Sequence, residues 1–496
     1  MPYRPTHDAR RCAVVDLGSN SVRLVVYEGT GRNPVAIFNE KAVLRLGRGL
    51  QSTGRLNEQA VGDALTVMSR YHAIATAMGA DPIEVLATAA VREADDGAAF
   101  VRAVRARMGA VPITILSGDE EALLSAEGVL CGIPNADGVL ADIGGGSLEL
   151  VELRSGRPMR SHSLKLGVLR LADRSGGDMA RARAIVEAEL SGISWLGAAT
   201  GGDLFVVGGA WRALARIHMA QTAYPLTIVH HYTIRADEAR DLASVLIASS
   251  RRALERLPGV PRRRIDDLPY AAVALRRLLR ATGARRVVFS ANGLREGWYM
   301  RRIAPEERAQ DPLLAAAQDL GARLGRDPGL PPALIAWTAP LFPGESLDAA
   351  RLRAAACLLS DIGSHDHPEY RAEQAFYRVL RQPGIALDHN ARAFLALAMA
   401  LRYEADPESE FLRPARLLLD IASARRAELL GVALRLAYTL CAGTPDLLAG
   451  VELRRDMQRL VLRLSDTGGV FAGESVQRRL DRVAQVIGLE GHIEVA

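Results

Sequence analysis

VVDLGSNSVRLVVY at residues 14–27 and LADIGGGSLELVEL at residues 140–153 are two versions of one pattern, offset by 126 positions. Asp16 falls on Asp142, Gly18 on Gly144, Ser21 on Ser147, Leu24 on Leu150 and Val25 on Val151. Each copy reads as an apolar strand, an Asp-apolar-Gly turn and a second strand. A duplicated hairpin predicts two related domains whose turns face one another across a cleft. Working outward from the first copy, the sequence predicts a third strand at 35–38, a helix over 57–78 and a strand at 83–88. A helix over 97–108, a strand at 113–116 and a helix opening at Gly118 come next. Hairpins mixed with βα alternation give an α/β class with a mixed sheet. After the second copy, further strands are expected at 205–207 and 287–290.

Beyond about residue 305 the pattern changes. Pro305, Pro312, Pro328, Pro331 and Pro332 punctuate the chain, and segments at 349–359, 391–403, 415–421 and 427–441 then carry apolar residues at helical spacing. The expected organisation is therefore 1–134, 135–305 and an all-α domain at 306–496, with a small β-containing end at 451–465. At ~150 residues per domain, a chain of 496 residues agrees with three.

Composition narrows the function. With 49% hydrophobic and 24% charged residues the chain is globular, not disordered. No apolar run approaches the ~18 residues of a membrane span, and the polar stretch 1–11 does not read as a secretory leader. Cys12, Cys131, Cys357 and Cys441 lie far apart, with no zinc or disulfide spacing, which fits a reducing, cytoplasmic setting. Lysine occurs only at Lys41 and Lys165, so nearly all positive charge is arginine. Residues 251–302 hold fourteen arginines against Glu255, Asp266, Asp267 and Glu296, a net of +10 that predicts a surface for an anionic partner.

Both turns combine an aspartate with glycines and hydroxyls. Glycine lets backbone N–H groups close on an anion, and Ser19, Asn20, Ser21 and Ser147 add short donors, with Gly18, Gly144, Gly145 and Gly146 as the backbone contacts. Asp16 and Asp142 repel phosphate but suit Mg²⁺. A polyanion with a hard metal is the ligand such a pair of loops predicts; glycine hairpins with turn-capping aspartates are the structural alternative. In LSGDEEALLSAEG, Ser117 and Glu120 form a capping box and Asp119 suits a helix start. Glu121 is not needed for the cap and is the candidate general base. Arg92, just after a strand, and Arg295, in SANGLREGW, are candidate phosphate contacts. Gly208 and Gly209 form a strand–helix turn open to a ligand or simply tight. There is no GxxxxGK[ST], HExxH or GxSxG motif.

In this order and spacing, VVDLGSNSVRLVV, ATAAVREA, LSGDEEALLSAEGV, LADIGGGSLELVEL, LKLGVLRL, VVGGAWRALA and ANGLREGW resemble the exopolyphosphatase / guanosine pentaphosphate phosphohydrolase family of the actin–hexokinase–Hsp70 superfamily. The resemblance covers residues 12–303. It implies two ribonuclease-H-like (actin-like ATPase) domains and Mg²⁺-dependent hydrolysis of terminal phosphoanhydrides, with a monovalent cation such as K⁺ alongside. By the same resemblance Glu121 is the catalytic glutamate, Glu149 joins Asp142 and Asp16 in the metal set, and Arg92, Gly208 and Gly209 face substrate. The region beyond resembles the C-terminal part of longer members, which is HD-like. Here Ser360-Asp361-Ile362-Gly363 lacks the HD histidine, and His365, Asp366 and His367 are either a displaced metal site or polar loop residues. The implied substrate is inorganic polyphosphate, with guanosine pentaphosphate or tetraphosphate as the alternative; no nucleic acid or membrane partner is expected. A homodimer is expected, with the helical domain a substrate-channel and dimer element. A phosphate or alarmone sensor and a superfamily kinase are the non-hydrolase alternatives.

Overall fold

The structure, a computed structural model, describes residues 10–197, 201–383, 386–465 and 472–495. The stretch 1–9, part of the segment expected not to be a leader, lies outside the described residues. The chain falls into two units, the first ending at Ala309 and the second beginning at Gln310.

The first unit has two lobes, each built on one sheet. In the first lobe β1 (Arg11–Leu17), β2 (Ser21–Glu28), β3 (Val35–Val43), β4 (Ala80–Ala87) and β5 (Ile113–Ile115) are ordered β3-β2-β1-β4-β5. β1–β2–β3 is an antiparallel meander, and β4 and β5 add in parallel. In the second lobe β6 (Gly138–Ile143), β7 (Leu148–Arg154), β8 (Arg157–Leu164), β9 (Asp203–Val207), β10 (Tyr232–Arg235) and β11 (Arg286–Phe289) are ordered β10-β11-β9-β6-β7-β8. Taken from β8 to β11, that is the same 3-2-1-4-5 succession, with β10 added antiparallel at the outer edge. The offset of 126 in sequence is thus a repeat in topology.

Strand alternation decides what faces the cleft. Ala13, Val15 and Leu17 on β1 and Val22, Leu24 and Val26 on β2 pack into one core with Met68, Tyr71, Phe100 and Val104. The other face carries Val14, Val25 and Tyr27, and Asp16 and Arg23 extend it toward the strand ends. In the second lobe Val139, Ala141 and Ile143 face one core and Leu140 the other, which puts Asp142 on the side of Leu140.

The helix Gly118–Gly132 lies between the sheets. Its Leu124 and Cys131 pack with the first lobe, and its Ala122, Ala126 and Val129 pack with the second. Ser117 starts it with the expected capping box, its Oγ accepting the Glu120 N–H at 3.2 Å while its own N–H donates to Glu120 Oε2 at 2.7 Å. The helix Leu294–Met300 comes after the second lobe in sequence but packs on the first: Trp298, Tyr299 and Met300 join Val14, Val25 and Leu86 in one core.

The second unit is helical from Pro312 to Cys441 and then departs from the all-α expectation. β12 (Val451–Arg455) and β13 (Arg459–Leu464) form a hairpin, and β14 (Glu490–Val495) adds in parallel through the helix Glu474–Ile487. β12 buries Val451 and Leu453 and β13 buries Leu460, Val461, Leu462 and Leu464, as the expected β-containing end requires, but β14 is largely exposed. Its two large apolar residues, Ile493 and Val495, are a weak signal in the sequence.

Candidate active site

Two hairpin turns with one geometry form the floor of a cleft of about 140 Å³. Gly18 N donates to Ser21 O at 3.1 Å, and Gly144 N donates to Ser147 O at 3.0 Å. The loops touch. A Cβ on Gly145 would lie 3.1 Å from Asn20 N, and one on Gly146 would lie 2.8 Å from Ser19 Oγ, so only glycine permits this approach. The carbonyls of the first loop are drawn away from the cleft, Ser19 O accepting from Gly47 N and Asn20 O from Leu44 N and Arg45 N, at 2.9–3.1 Å. At the third wall Gly208, at φ +120°, starts the helix Gly209–Gln221, a backbone angle that favours glycine. That helix presents its N-terminal turn, Gly209, Ala210 and Arg212, to the cleft.

Glu121, Asp16 and Asp142 line the cleft together with Gly18, Ser19, Asn20, Ser21, Gly144, Gly145, Gly146, Ser147, Gly208, Gly209 and Arg295. Arg295 stands 3.7 Å from Asp16 Oδ2. Asp142 Oδ2 accepts a 2.5 Å hydrogen bond from Ser125 Oγ. Burial raises the Asp142 carboxyl above the usual range against that bond. Burial likewise pushes Glu121 up to about 7; Arg92 opposes it, and the Asp142 and Asp16 charges add to it.

Two predicted residues stand off the cleft wall. Arg92 turns to Glu121, donating from Nη1 to Glu121 Oε2 at 3.2 Å and to Leu116 O at 2.6 Å, so it meets the candidate base directly. Glu149 is cross-strand from Asp142, buried, and takes a 3.1 Å bond from Ser163 Oγ. Burial, then repulsion from Glu121 and Asp142, holds its carboxyl well above the ordinary value.

The acidic end suits a hard cation. Among the described residues no group of three or more Asp, Glu, His or Cys side chains is close enough to hold a metal by itself. Mg²⁺ commonly takes one or two carboxylates, several waters and substrate phosphate oxygens. Asp142 and Asp16 on facing loops offer that partial set.

Three cations of the cleft are not among the expected site residues, Arg23, Lys41 and Arg212, and Arg264 joins them from the arginine-rich stretch. Asp16, Arg23 and Lys41 are successive cross-strand partners over β1, β2 and β3, so they form one row across the sheet. Arg212 lies three residues after the predicted glycine pair, and Lys41 is one of only two lysines; both signals were present. Burial, then Arg264, Arg212 and Arg23, pushes Lys41 down to about 7. Burial, then Arg295 and Arg23, brings Arg212 to about 10. Cations crowded this closely are set for a polyanion. Lys41→Met should therefore raise KM for a polyanionic substrate by on the order of tenfold, the scale of one charge-assisted hydrogen bond. Lys41→Arg should recover it, and an unchanged KM in the methionine variant would remove Lys41 from binding.

The +10 of residues 251–302 is not one free anion track. Arg277 pairs with Glu187, Arg286 with Asp203, Arg301 with Glu127 and Arg302 with Glu84, all acids from outside the segment. Only Arg264 and Arg295 of that stretch line the cleft.

In the helical unit Asp361, where an HD site needs a metal ligand, is held by Arg326 at 2.8 and 3.0 Å and by the Arg326 N–H at 2.9 Å. Arg402 lies 4.0 Å from the same carboxylate and 3.6 Å over the Tyr438 ring. Burial would raise Asp361, but the Arg326 bonds hold it below the usual range. Guanidinium groups occupy the surroundings a cation would need. Asp366 is bound 3.0 Å from Arg378, and His367 Nδ1 accepts from Glu369 N at 3.3 Å. All four cysteines are free, and among the described residues no helix is long and apolar enough to cross a membrane.

Two facing glycine loops between two lobes of the same strand succession, together with the relatives of the chain, define a hydrolase of phosphoanhydrides. The chain belongs to the Ppx/GppA phosphatase family: residues 24–305 match that family's model, and residues 313–493 match the exopolyphosphatase C-terminal model. Exopolyphosphatase 2 of Mycobacterium tuberculosis is 26% identical over 297 residues, 54% of this chain and 90% of that protein. Retrograde regulation protein 2 of Saccharomyces cerevisiae is 25% identical over 447 residues, 80% of this chain and 74% of that protein. The crystal structure of an exopolyphosphatase from Cytophaga hutchinsonii superposes with a TM-score of 0.53 at 22% identity, covering 58% of this chain and 96% of that one. At that identity the likeness speaks for the fold.

Proposed function

We propose that the protein is an Mg²⁺-dependent exopolyphosphatase that removes the terminal phosphate of inorganic polyphosphate, with Glu121 as the general base. The observation that carries this reading is the polarity of the cleft: a carboxylate end at Glu121, Asp142 and Asp16, and a cationic end at Arg23, Lys41, Arg212 and Arg264. The terminal phosphate rests against the N–H groups of both glycine loops and the start of the Gly209–Gln221 helix. Glu121 orients a water and takes its proton as the water oxygen attacks phosphorus. The bridging oxygen leaves with the shortened chain, whose charge the arginines and Lys41 balance. Asp142 and Asp16 would hold Mg²⁺, which supplies charge neutralisation at the phosphate; Glu149, cross-strand from Asp142, backs them as a buried carboxyl.

The cleft is lined for a phosphate terminus, which inorganic polyphosphate and guanosine pentaphosphate share. Phosphate release is therefore measured on long polyphosphate and on guanosine pentaphosphate, with and without Mg²⁺. A higher kcat/KM on polyphosphate, lost with the metal, is expected; preference for the nucleotide would assign the alternative substrate. Asp142→Asn should raise the Mg²⁺ concentration needed for half-maximal rate by roughly 10–100-fold. An unshifted requirement would move the metal elsewhere.

A further inference from the structure

LKLGVLRL, residues 164–171, has no role in the chemistry above, and its arginine does not line the cleft. Arg170 is only 3% exposed, and a guanidinium is rarely buried so fully without a partner. Its partner lies in the other lobe. Arg170 Nη2 reaches Glu93 Oε2 at 2.5 Å; Glu93 Oε1 lies 4.0 Å from Arg92 Nη2; and Arg92 Nη1 holds Glu121 Oε2 at 3.2 Å. The charges alternate along this line and end on the candidate base.

The backbone of the same residue is fastened to the phosphate loop. Val168 N donates to Gly144 O at 3.1 Å, and Leu169 N and Arg170 N donate to Gly145 O at 3.0 and 3.3 Å. Arg170 therefore touches the second glycine loop through its main chain and the first lobe through its side chain. Glu93 and Arg92 share the short helix Ala89–Glu93, so a shift of Glu93 carries Arg92 with it.

We propose that Arg170 is a positioning residue: through Glu93 and Arg92 it ties the pose of Glu121 to the seating of the second phosphate loop against the first lobe. This rests on the reading of Glu121 as the base. Without Arg170, Glu93 turns to Arg92 and competes with Glu121 for its guanidinium, so the base loses its fixed partner.

The test uses the full chain with polyphosphate of defined length and saturating Mg²⁺. Arg170→Met is expected to lower kcat by on the order of 10–10²-fold, the scale of a misplaced reacting group, with KM within about threefold. Arg170→Lys, which keeps the charge facing Glu93, is expected to recover most of the rate. In a Glu121→Gln background Arg170→Met should lower the residual kcat no further, since the group it positions no longer accepts a proton. A wild-type kcat in Arg170→Met, or the same fractional loss in both backgrounds, would overturn the proposal. Should Arg170→Met not fold, Arg170→Gln, which removes the charge but leaves a polar side chain beside the intact Glu93 carboxylate, is judged by the same criteria. Failure of the functional reading looks different, because wild type itself would release no phosphate. A crystal structure of the variant still decides the positioning then: displaced Arg92 and Glu121 side chains support it, and unmoved ones refute it.

Discussion

Glu121→Gln should still bind polyphosphate while releasing phosphate ~10²–10⁴-fold more slowly, the usual scale for loss of a general base. The amide keeps the size of the carboxylate and can still face Arg92, so the cleft stays intact while the proton acceptor is gone. Near-wild-type turnover would exclude Glu121 from the mechanism. A second measurement needs no substrate. Burial pushes the Glu121 carboxyl up to about 7 from an ordinary value of 4.5, so the folded protein binds this proton more tightly than the unfolded chain. The carboxyl therefore opposes folding progressively as pH rises from about 4.5 through about 7. Glutamine carries no such penalty. The variant should be more stable than wild type at pH 8 by on the order of 1–3 kcal/mol, with little difference at pH 5. Denaturant unfolding at both pH values checks this, and equal stabilities at pH 8 would mean the carboxylate is already compensated. In turnover, kcat/KM should fall on the acid side as Glu121 protonates, and higher Mg²⁺ should move that limb to lower pH.

Gly146→Val is the second large effect. The first added carbon would lie 2.8 Å from Ser19 Oγ and 3.2 Å from the Ala89 Cβ, both in the opposite lobe, before the valine methyls are counted. The two glycine loops must then part, and both line the cleft. A displacement near 1 Å costs about 10²-fold in rate, so kcat/KM should drop at least that far, with a stability loss of ~1–3 kcal/mol from overpacking. Gly146→Ala should fall between wild type and valine. A valine variant with ordinary kcat/KM would show that the loops need not touch.

Why some of this was legible and some was not comes down to where each signal resides. The paired hairpins showed in sequence because strand alternation and the Asp-apolar-Gly turn are local, and a repeat doubles them. Ser117 and Glu120 could be set aside as a cap, which isolated Glu121, because capping geometry is fixed within four residues. The cationic row was not read because Arg23 and Lys41 meet only through strand pairing, eighteen positions apart in the chain. The arginine-rich stretch misled for the converse reason: local counting cannot see Glu84, Glu127, Glu187 and Asp203 arriving from elsewhere. β14 escaped because only Ile493 and Val495 mark it as apolar, on an edge strand that is largely exposed.

The return of Leu294–Met300 to the first lobe means that the chain passes between the lobes twice, after Gly132 and again between Phe289 and Leu294. A protease nick in either connector alone would leave both halves tethered. A fragment ended at the first connector would lack Trp298, Tyr299 and Met300 and bare the apolar patch around Val14, Val25 and Tyr27. Truncation at that point should therefore yield an aggregating product, and adding residues 290–303 as a separate peptide is the natural remedy.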